Sequence, residues 1–174
     1  ETDVRSCAGP AGNLASARVR SATVEVMTTT GGFEPADLLA QEQRLSLPSL
    51  SENDAVTLGI TTLGFAQARS LPVFIEVRRV GRVVFRASLN GTSADNEDWA
   101  RRKAAIVERF GHSTMYERVR HEVQGITFNE KTGLPLSDFA AHGGAFPLTV
   151  NGTGVVGVLI VSGLPQVEDH ALCV

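Results

Sequence analysis

The residues of this chain that are best suited to chemistry stand at breaks between predicted elements of secondary structure. His142 is one of them, and Gly143 and Gly144 follow it directly. Two glycines let the backbone bend sharply or let a ligand approach the main chain closely. Because imidazole is a common metal ligand, His142 is a candidate ligand for iron or another metal ion. The alternative is a structural histidine that fixes the glycine bend by a hydrogen bond.

Asp169 and His170 form a second candidate pair, near the C-terminal end. Adjacent side chains on a helix point about 100° apart, so we do not expect these two to ligate one metal ion together. Asp169 could instead stabilise the positive end of a helix dipole. His112 lies in a predicted helix break, where it could complete a ligand site or hydrogen-bond the Phe110 carbonyl.

A group of cations lies on one predicted helix. Arg101, Arg102 and Lys103 are consecutive, and Arg109 lies seven residues after Arg102, which places those two arginines on one face. A ligand that carries carboxylates needs such cations, because charge-assisted hydrogen bonds hold it. The alternative is a solvated helix face. His121 stands among charged residues on the next predicted helix, so we expect it to be solvated.

Sequence motifs of the common catalytic classes are absent. The chain has no Gly-x-Ser-x-Gly elbow, no glycine-rich phosphate loop followed by Lys and Ser or Thr, and no His-Glu-x-x-His. Gly152, Gly154 and Gly157 lie within a predicted hairpin rather than between a strand and a helix, so they do not form a dinucleotide-binding fingerprint. We therefore assign no catalytic residue from the sequence.

The element that positions these groups is a predicted hairpin near the C-terminal end. Its strands cover 146–150 and 155–161, and Asn151-Gly152 between them is a strong turn signal. The second strand is almost wholly Val, Leu and Ile, which predicts a central strand covered on both faces. Antiparallel pairing brings His142 and the segment 162–170 to the same edge of the sheet.

The remaining elements predict a sheet with helices on both faces. Pro35–Leu47 and Ser51–Arg69 carry apolar residues at helical spacing, although Glu42 interrupts the first apolar stripe. Two hairpins and one further strand make a five-stranded, mostly antiparallel sheet. A helix is predicted over 96–110, with Trp99, Ile106, Val107 and Phe110 in the core. Two more helices are predicted, one over 114–123 and one that begins at Pro165. The other predicted elements are a hairpin over 72–79 and 82–88, a loop or weak strand over 126–137, and a short edge strand over 138–141.

Length and composition bound the class of protein. The 174 residues are 43% hydrophobic and 20% charged, which suits one domain with a sizeable core. The formal net charge of −3 and the pI near 5.8 argue against a general nucleic-acid binder. No apolar run reaches membrane-spanning length. Cys7 and Cys173 show neither a disulfide framework nor zinc-site spacing, which favours a reducing, cytoplasmic setting.

The first residues differ from the rest of the chain. Residues 1–26 are rich in Ala, Ser, Gly and Arg, and Met27 followed by Thr-Thr-Thr-Gly-Gly resembles a natural start. We predict that residues 1–32 are an extension outside the domain, either disordered or added upstream, and that 33–174 form a single domain. The alternative is a genuine tail that becomes ordered in an assembly.

Four segments resemble the hallmark segments of the haem-degrading-domain family, which is related to HbpS-like and GlcG-like proteins. They occur in the family's order, and the resemblance covers about residues 33–172. The segments are Trp99-Ala-Arg-Arg-Lys103, Arg109-Phe-Gly-His-Ser113, His142-Gly-Gly-Ala-Phe-Pro147 and Val161-Ser-Gly-Leu-Pro-Gln-Val-Glu-Asp-His170.

The resemblance implies a profilin-like α/β/α sandwich around a five-stranded antiparallel sheet, which agrees with the elements above. It also implies a homo-oligomer with ligand sites near subunit interfaces, and haem binding with assistance in haem breakdown. Combined with the residue patterns, it makes His142 the expected ligand of the haem iron. Haem, or a small anionic ligand in its place, would also contact Gly143, Gly144, Arg102, Lys103, Arg109, His112, Asp169 and His170.

This chain departs from the family pattern at both ends, because residues 1–26 have no counterpart and the final helix stops at Val174. Two other functions remain open besides haem binding. One is a non-catalytic oligomeric adapter or structural module, and the other is an enzyme that acts on a small carboxylate. A haem titration separates the first function from these two. No nucleic-acid or membrane partner is expected.

Overall fold

The computed structural model describes residues 30–174, so the prediction for the first residues lies almost wholly outside the described part of the chain. Across that part, no helix is both long and apolar enough to cross a membrane. The helices that lie wholly within residues 30–174 are α1 (Pro35–Arg44), α2 (Glu52–Ala68), α3 (Ala94–Phe110), α4 (Thr114–Glu122), α5 (Phe128–Thr132) and α6 (Gln166–Cys173). The strands are β1 (Phe74–Arg79), β2 (Arg82–Ser88), β3 (Ala145–Val150) and β4 (Gly154–Ser162).

Strand β4 lies inside the sheet, between β1 and β3. The strand order is β2-β1-β4-β3, and every neighbouring pair is antiparallel. The four residues from Val158 to Val161 are at most 2% exposed. The prediction of a central strand covered on both faces is therefore confirmed for the second half of β4. Its first residues, 154 and 155, are exposed because they lie at the hairpin turn.

The sheet of the described residues has four strands, so the predicted count of five is wrong. The segment 138–141 is not a strand, because its main-chain groups pair elsewhere. The Ala140 N–H donates to the Arg102 carbonyl of α3 at 3.2 Å, and the Phe139 N–H donates to the Pro135 carbonyl at 3.0 Å. The segment thus lies beside a helix rather than at the edge of the sheet.

An apolar core fills each face of the sheet, which confirms the α/β/α sandwich. The helices α2 and α6 cover one face, and α3 covers the other. The first core contains Ala55 and Ala66 of α2 with Val73, Ile75, Val77, Leu148, Leu159 and Val161. The second contains Ala100, Ala104 and Val107 of α3 with Phe74, Ala145, Val158 and Ile160.

Reciprocal hydrogen bonds fix the start of α2 as the sequence predicts. The Ser51 Oγ accepts from the Asp54 N–H at 3.2 Å, and the Asp54 carboxylate accepts from the Ser51 N–H at 2.8 Å. The same pairing joins Thr127 and Glu130 at the start of α5. The predicted loop or weak strand over 126–137 is therefore wrong for residues 128–132, where the Thr-x-x-Glu pattern begins α5.

Helix α3 buries two charged residues that the sequence placed on a polar face. Arg102 and Lys103 are 9% and 3% exposed. Trp99 and Phe110, predicted for the core, are only half-buried. The prediction failed because α3 is covered on two sides. Its small residues pack on the sheet, and Lys103 is covered by the loop before β3 and by the start of α6.

His121 is 5% exposed, so the prediction of a solvated side chain is wrong. Its Nδ1 lies 2.6 Å from the Glu117 carbonyl oxygen, and its ring meets the Phe128 ring edge-on at 5.6 Å. Phe128 belongs to α5. The face of α4 that carries His121 is therefore covered by a helix that sequence reasoning did not predict.

Candidate functional site

A cleft opens where β4 ends, between the first half of α3 and the start of α6. We call it the His142 cleft, and its volume is about 240 Å³. Distant segments meet there because α3 crosses one face of the sheet while α6 follows directly from β4. The polar, charged and aromatic side chains that line it are Asp95, Asn96, Trp99, Lys103, His142, Ser162, Gln166 and Asp169.

A buried ion pair forms one wall of the His142 cleft. The Lys103 Nζ lies 2.7 Å from Asp169 Oδ2 and donates a second hydrogen bond to the Val161 carbonyl at 3.1 Å. The two side chains are 4% and 2% exposed. An ammonium carries three N–H groups, so one remains for a ligand after these two hydrogen bonds.

Asp169 also holds the turn that joins β4 to α6. Its carboxylate accepts from the Leu164 N–H at 3.0 Å and, at a longer 3.4 Å, from the Gly163 N–H. Burial raises the pKa of the Asp169 carboxyl, while the Lys103 ammonium and these two N–H groups oppose that rise. Asp169 therefore has a structural role, because it ties α3 to the turn.

Gly143 and Gly144 bring the main chain against protein groups. Gly144 has a φ of +116°, and a Cβ there would lie 2.4 Å from the Val161 carbonyl oxygen and 2.7 Å from the Lys103 Nζ. A Cβ at Gly143 would lie 2.2 Å from the Gln166 carbonyl oxygen. Side chains at these positions would push the loop away, so the two glycines are needed to form the wall of the cleft.

His142 is a partly buried wall residue with an unused ring nitrogen. Its Nδ1 is buried and has no hydrogen-bond partner within residues 30–174. The Trp99 ring meets the imidazole edge-on, with the centroids 5.0 Å apart. Burial, followed by the charges of Arg118, Lys103 and Arg102, lowers the pKa of His142 to about 4. The imidazole is therefore neutral at pH 7, the form that can accept a hydrogen bond or bind a metal.

The Arg102 guanidinium lies over the Trp99 ring. Its guanidinium carbon lies 4.1 Å from the centroid of that ring, within the range of a cation–π contact. Its Nη2 also lies 2.8 Å from the Asp98 carboxylate, one turn earlier on α3. Arg102 thus orients Trp99 and is already paired, so it is not a free cation for a ligand.

Arg109 and His112, which the sequence also assigned to the site, lie away from the His142 cleft. Arg109 is exposed, and its guanidinium lies 5.5 Å from the centroid of the Phe139 ring. His112 follows the C-terminal end of α3, with its Nδ1 2.7 Å from a Glu42 carboxylate oxygen. The shared helix face of Arg102 and Arg109 does not bring their charges together, because each side chain stacks on a different aromatic ring.

His170 is fully buried behind the cleft and does not line it. Its Nε2 lies 2.8 Å from the Gln41 Oε1, and its ring meets the Phe33 ring edge-on at 5.4 Å. Burial lowers the pKa of His170 to about 4, so this side chain is also neutral at pH 7. Asp169 and His170 face different neighbours, as their angular separation on a helix predicted.

Trp99 lines the site although the sequence assigns it to the core face of its helix. The available signal was its spacing: Trp99 lies four residues before Lys103, so both occupy one helix face. Within residues 30–174, no group of three or more His, Cys, Asp or Glu side chains is placed to hold a metal ion. The cleft therefore offers a single imidazole, an aromatic wall, the buried Lys103–Asp169 ion pair and the Asp95 carboxylate.

Comparison of sequences connects the chain to proteins of several bacteria. The family model described as haem degrading protein HbpS-like matches residues 50–174. A UPF0303 protein of Streptomyces avermitilis is 48% identical over 138 residues, which cover 79% of this chain and 85% of the relative. A UPF0303 protein of Paraburkholderia phymatum is 44% identical over 137 residues, covering 79% and 83%.

Comparison of structures finds the same fold. The Ybr137w protein matches with a TM-score of 0.76 and 28% identity, over 87% of this chain and 91% of that one. A double mutant of Streptomyces reticuli HbpS matches with a TM-score of 0.57 and 20% identity, over 75% and 86%. A PduOC:heme complex matches with a TM-score of 0.60 and 19% identity, over 72% and 90%. The last two likenesses concern the fold alone.

Proposed function

Because this chain belongs to the HbpS-like family of haem-degrading proteins, we propose that its function is the binding of haem, or of a small anionic ligand, in the His142 cleft. The observation that carries the proposal is a neutral imidazole, His142, that lines one cleft with the Trp99 ring and the buried Lys103 ammonium. The PduOC neighbour was crystallised as a haem complex, which supports haem as the first ligand to test.

The described residues fit a haem group in their chemistry. A neutral imidazole is the usual protein ligand of haem iron, and burial keeps His142 neutral at pH 7. Trp99 offers an aromatic surface to a planar ligand. The remaining Lys103 N–H can donate to a carboxylate. Haem bound there would supply the redox chemistry of iron, while these residues hold and orient the group.

The size of the cleft limits how much of a ligand one chain can enclose. Its volume of about 240 Å³ lies below the roughly 300–1,000 Å³ of sites that bury most of a drug-sized ligand. A porphyrin would therefore remain partly uncovered on one chain, and a second subunit would have to cover the rest. A small carboxylate would fit without such cover, which makes it the second candidate ligand.

Self-association is part of the proposal, and the outer face of α2 supports it. Ile60 and Phe65 are 57% and 61% exposed, although both are large and apolar. No charged residue occurs in α2 between Asp54 and the end of the helix. The Thr57 and Thr61 hydroxyls donate to carbonyls within the same helix at 2.8 Å, so they do not need water. Such a face suits burial against a second copy of the chain.

Haem breakdown and a cytoplasmic location are further parts of the proposal. Breakdown would be followed as loss of haem absorbance in the presence of oxygen and a reductant, with the His142→Ala variant as the comparison. A reducing compartment suits the thiol of Cys173, which is free in the structure. Burial raises the pKa of that thiol, so it stays protonated and unreactive.

The decisive experiment is a titration of the full chain with haem, read by absorbance and by tryptophan fluorescence. Trp99 is the only tryptophan in the chain, so its emission reports on this cleft alone. We expect a shifted Soret band and quenched emission. In His142→Ala, the Soret shift should be lost and the affinity should fall about tenfold or more, which corresponds to about 1.4 kcal/mol.

Two controls make the titration specific. The His112→Ala variant alters a histidine outside the cleft, so it should retain both signals. Iron-free protoporphyrin keeps the ring and the carboxylates but has no iron. It should bind the natural chain more weakly than haem does, and it should bind His142→Ala as tightly as it binds the natural chain. An unchanged Soret shift in His142→Ala would refute iron ligation by this residue. If no haem binds, the remaining candidate functions are the binding of a small carboxylate and the adapter function.

A further inference from the structure

A second cleft lies at the opposite end of α3 from the His142 cleft, between α1 and the β3–β4 turn. We call it the His112 cleft, and its volume is about 670 Å³. The end of α1 is fixed there by main-chain pairing, because the Leu47 N–H donates to the Thr149 carbonyl at 2.8 Å and the Asn151 N–H donates to the Leu47 carbonyl at 2.9 Å. The segment that follows α1 is therefore held against the β3–β4 hairpin beside this cleft.

The polar centre of this cleft is a histidine–carboxylate pair. The His112 Nδ1 lies 2.7 Å from Glu42 Oε2, and the Ser113 N–H donates to Glu42 Oε1 at 2.7 Å. The Glu42 side chain is 9% exposed, whereas the His112 side chain is 37% exposed. Both carboxylate oxygens are thus engaged, and the imidazole, whose centroid lies 4.7 Å from that of the Tyr116 ring, remains partly exposed.

This arrangement determines which ring nitrogen of His112 carries hydrogen. An ionised carboxylate can only accept hydrogen bonds, so the Nδ1 must be the donor. In the neutral imidazole, the Nε2 then keeps its lone pair, and the Glu42 contact holds the ring in one orientation. A side chain held in this way is an acceptor, or a base, for a group that enters the cleft.

The other walls of the cleft are uncharged. Leu39, Val150 and Val155 contribute apolar surface, and Gln43, Ser46 and Thr149 contribute neutral polar groups. Among the lining residues, only the Glu42–His112 pair can carry a charge. The volume falls within the range of about 300–1,000 Å³ that is usual for small-molecule sites.

We propose that the His112 cleft is a second ligand site, separate from the His142 cleft, which takes a small neutral molecule with an apolar body and a hydroxyl or N–H group. The apolar body packs on Leu39 and Val155, and the hydroxyl or N–H donates to the His112 Nε2. Glu42 is the positioning residue, because it sets the tautomer and the orientation of the ring.

A matched pair of probes tests this assignment by NMR titration of the protein. Phenol has an apolar ring and a hydroxyl donor, whereas anisole has the same ring and no donor. We expect phenol to bind the natural chain about fivefold more tightly, the value of one neutral hydrogen bond of about 1 kcal/mol. Shifts of the Gly111 and Gly154 amide signals should place the bound phenol, since both residues line the cleft.

The variant Glu42→Gln gives the sharpest comparison. The Gln amide oxygen would accept from the Ser113 N–H as Glu42 Oε1 does, which turns the amide N–H₂ toward the His112 Nδ1. The Nδ1 then becomes the acceptor and the Nε2 carries the hydrogen. Long-range ¹H–¹⁵N NMR should show this exchange of tautomers, and the preference for phenol over anisole should disappear.

Two further variants complete the test. His112→Phe removes the acceptor and should bind phenol and anisole equally, while His142→Gln alters the other cleft and should keep the preference for phenol. If Glu42→Gln does not fold, the binding of phenol and anisole can still be compared between the natural chain and His112→Phe. Equal binding of the two probes to the natural chain, no binding of either, or a Nε2–H tautomer in the natural chain would each overturn the proposal.

Discussion

The Lys103 ammonium lies 2.7 Å from the Asp169 carboxylate, and both side chains are almost completely buried. The two residues are 66 positions apart in the chain, and their contact ties α3 to the turn after β4. Removing one partner of a buried pair leaves an uncompensated charge, whereas an exposed pair contributes little. This contact is therefore the most sensitive point of the His142 cleft.

Replacement of Lys103 by Met should lower the free energy of unfolding by about 3–5 kcal/mol, because Asp169 would remain buried without its cation. The matched control is Arg101→Met, since Arg101 pairs with Asp98 at 3.0 Å on the same helix but is 51% exposed. That change should cost less than about 1 kcal/mol. Urea unfolding of both variants measures the difference, and similar losses would contradict it.

His170 should make the protein less stable in mild acid. Burial keeps the pKa of folded His170 at about 4, below the ordinary value of 6.5. As the pH falls through 6.5, the unfolded chain takes up a proton that the folded chain cannot bind, so the free energy of unfolding decreases. The full effect is about 3 kcal/mol and is complete only below pH 4.

Urea unfolding at pH 7 and pH 5 tests the role of His170. His170→Gln should show a smaller loss of stability between these two pH values than the natural chain, whatever its stability at pH 7. His142 contributes in the same direction, because the pKa of its imidazole is also lowered to about 4. Identical losses in the natural chain and in His170→Gln would refute the assignment.

Replacement of Leu159 by Asp should abolish soluble, folded protein. Leu159 is 2% exposed in the centre of β4, so the new carboxylate would be buried without a partner, at a cost of several kcal/mol. Val155 lies on the same strand but is 41% exposed, which makes Val155→Asp the matched control. Normal melting of the Leu159→Asp variant would contradict the central position of this strand.

Replacement of Phe65 by Lys should weaken self-association. Phe65 is 61% exposed on the outer face of α2, so a charge there should disturb an interface without disturbing the core. The control Val123→Lys changes a residue that is 58% exposed at the C-terminal end of α4. Light scattering should show a smaller assembly for Phe65→Lys than for the control, and equal masses would exclude this face.

Several elements of this fold can be predicted from the sequence, because they depend on near neighbours. The Val-, Leu- and Ile-rich run of β4 predicts a covered strand, and the Asn-Gly pair before it predicts the turn, because these preferences arise within a few residues. Ser51 and Asp54 predict the start of α2 for the same reason. The family segments identify the α/β/α fold, but the predicted strand at 138–141 is wrong, because the main chain there pairs with Pro135 and with Arg102 of α3 rather than with the sheet.

Which chemical groups share a cleft depends instead on contacts between distant segments. Helical spacing places Arg102 and Arg109 on one face, but aromatic neighbours from other segments draw the two side chains apart. Glu42 interrupts an apolar stripe, which signals a buried acid but does not reveal that His112, 70 residues away, is its partner. The pairing of Lys103 with Asp169 likewise depends on how α3 and α6 meet at the end of the sheet. Burial and charge pairing act between segments that only the fold brings together, so the sequence names these residues and the structure determines their contacts.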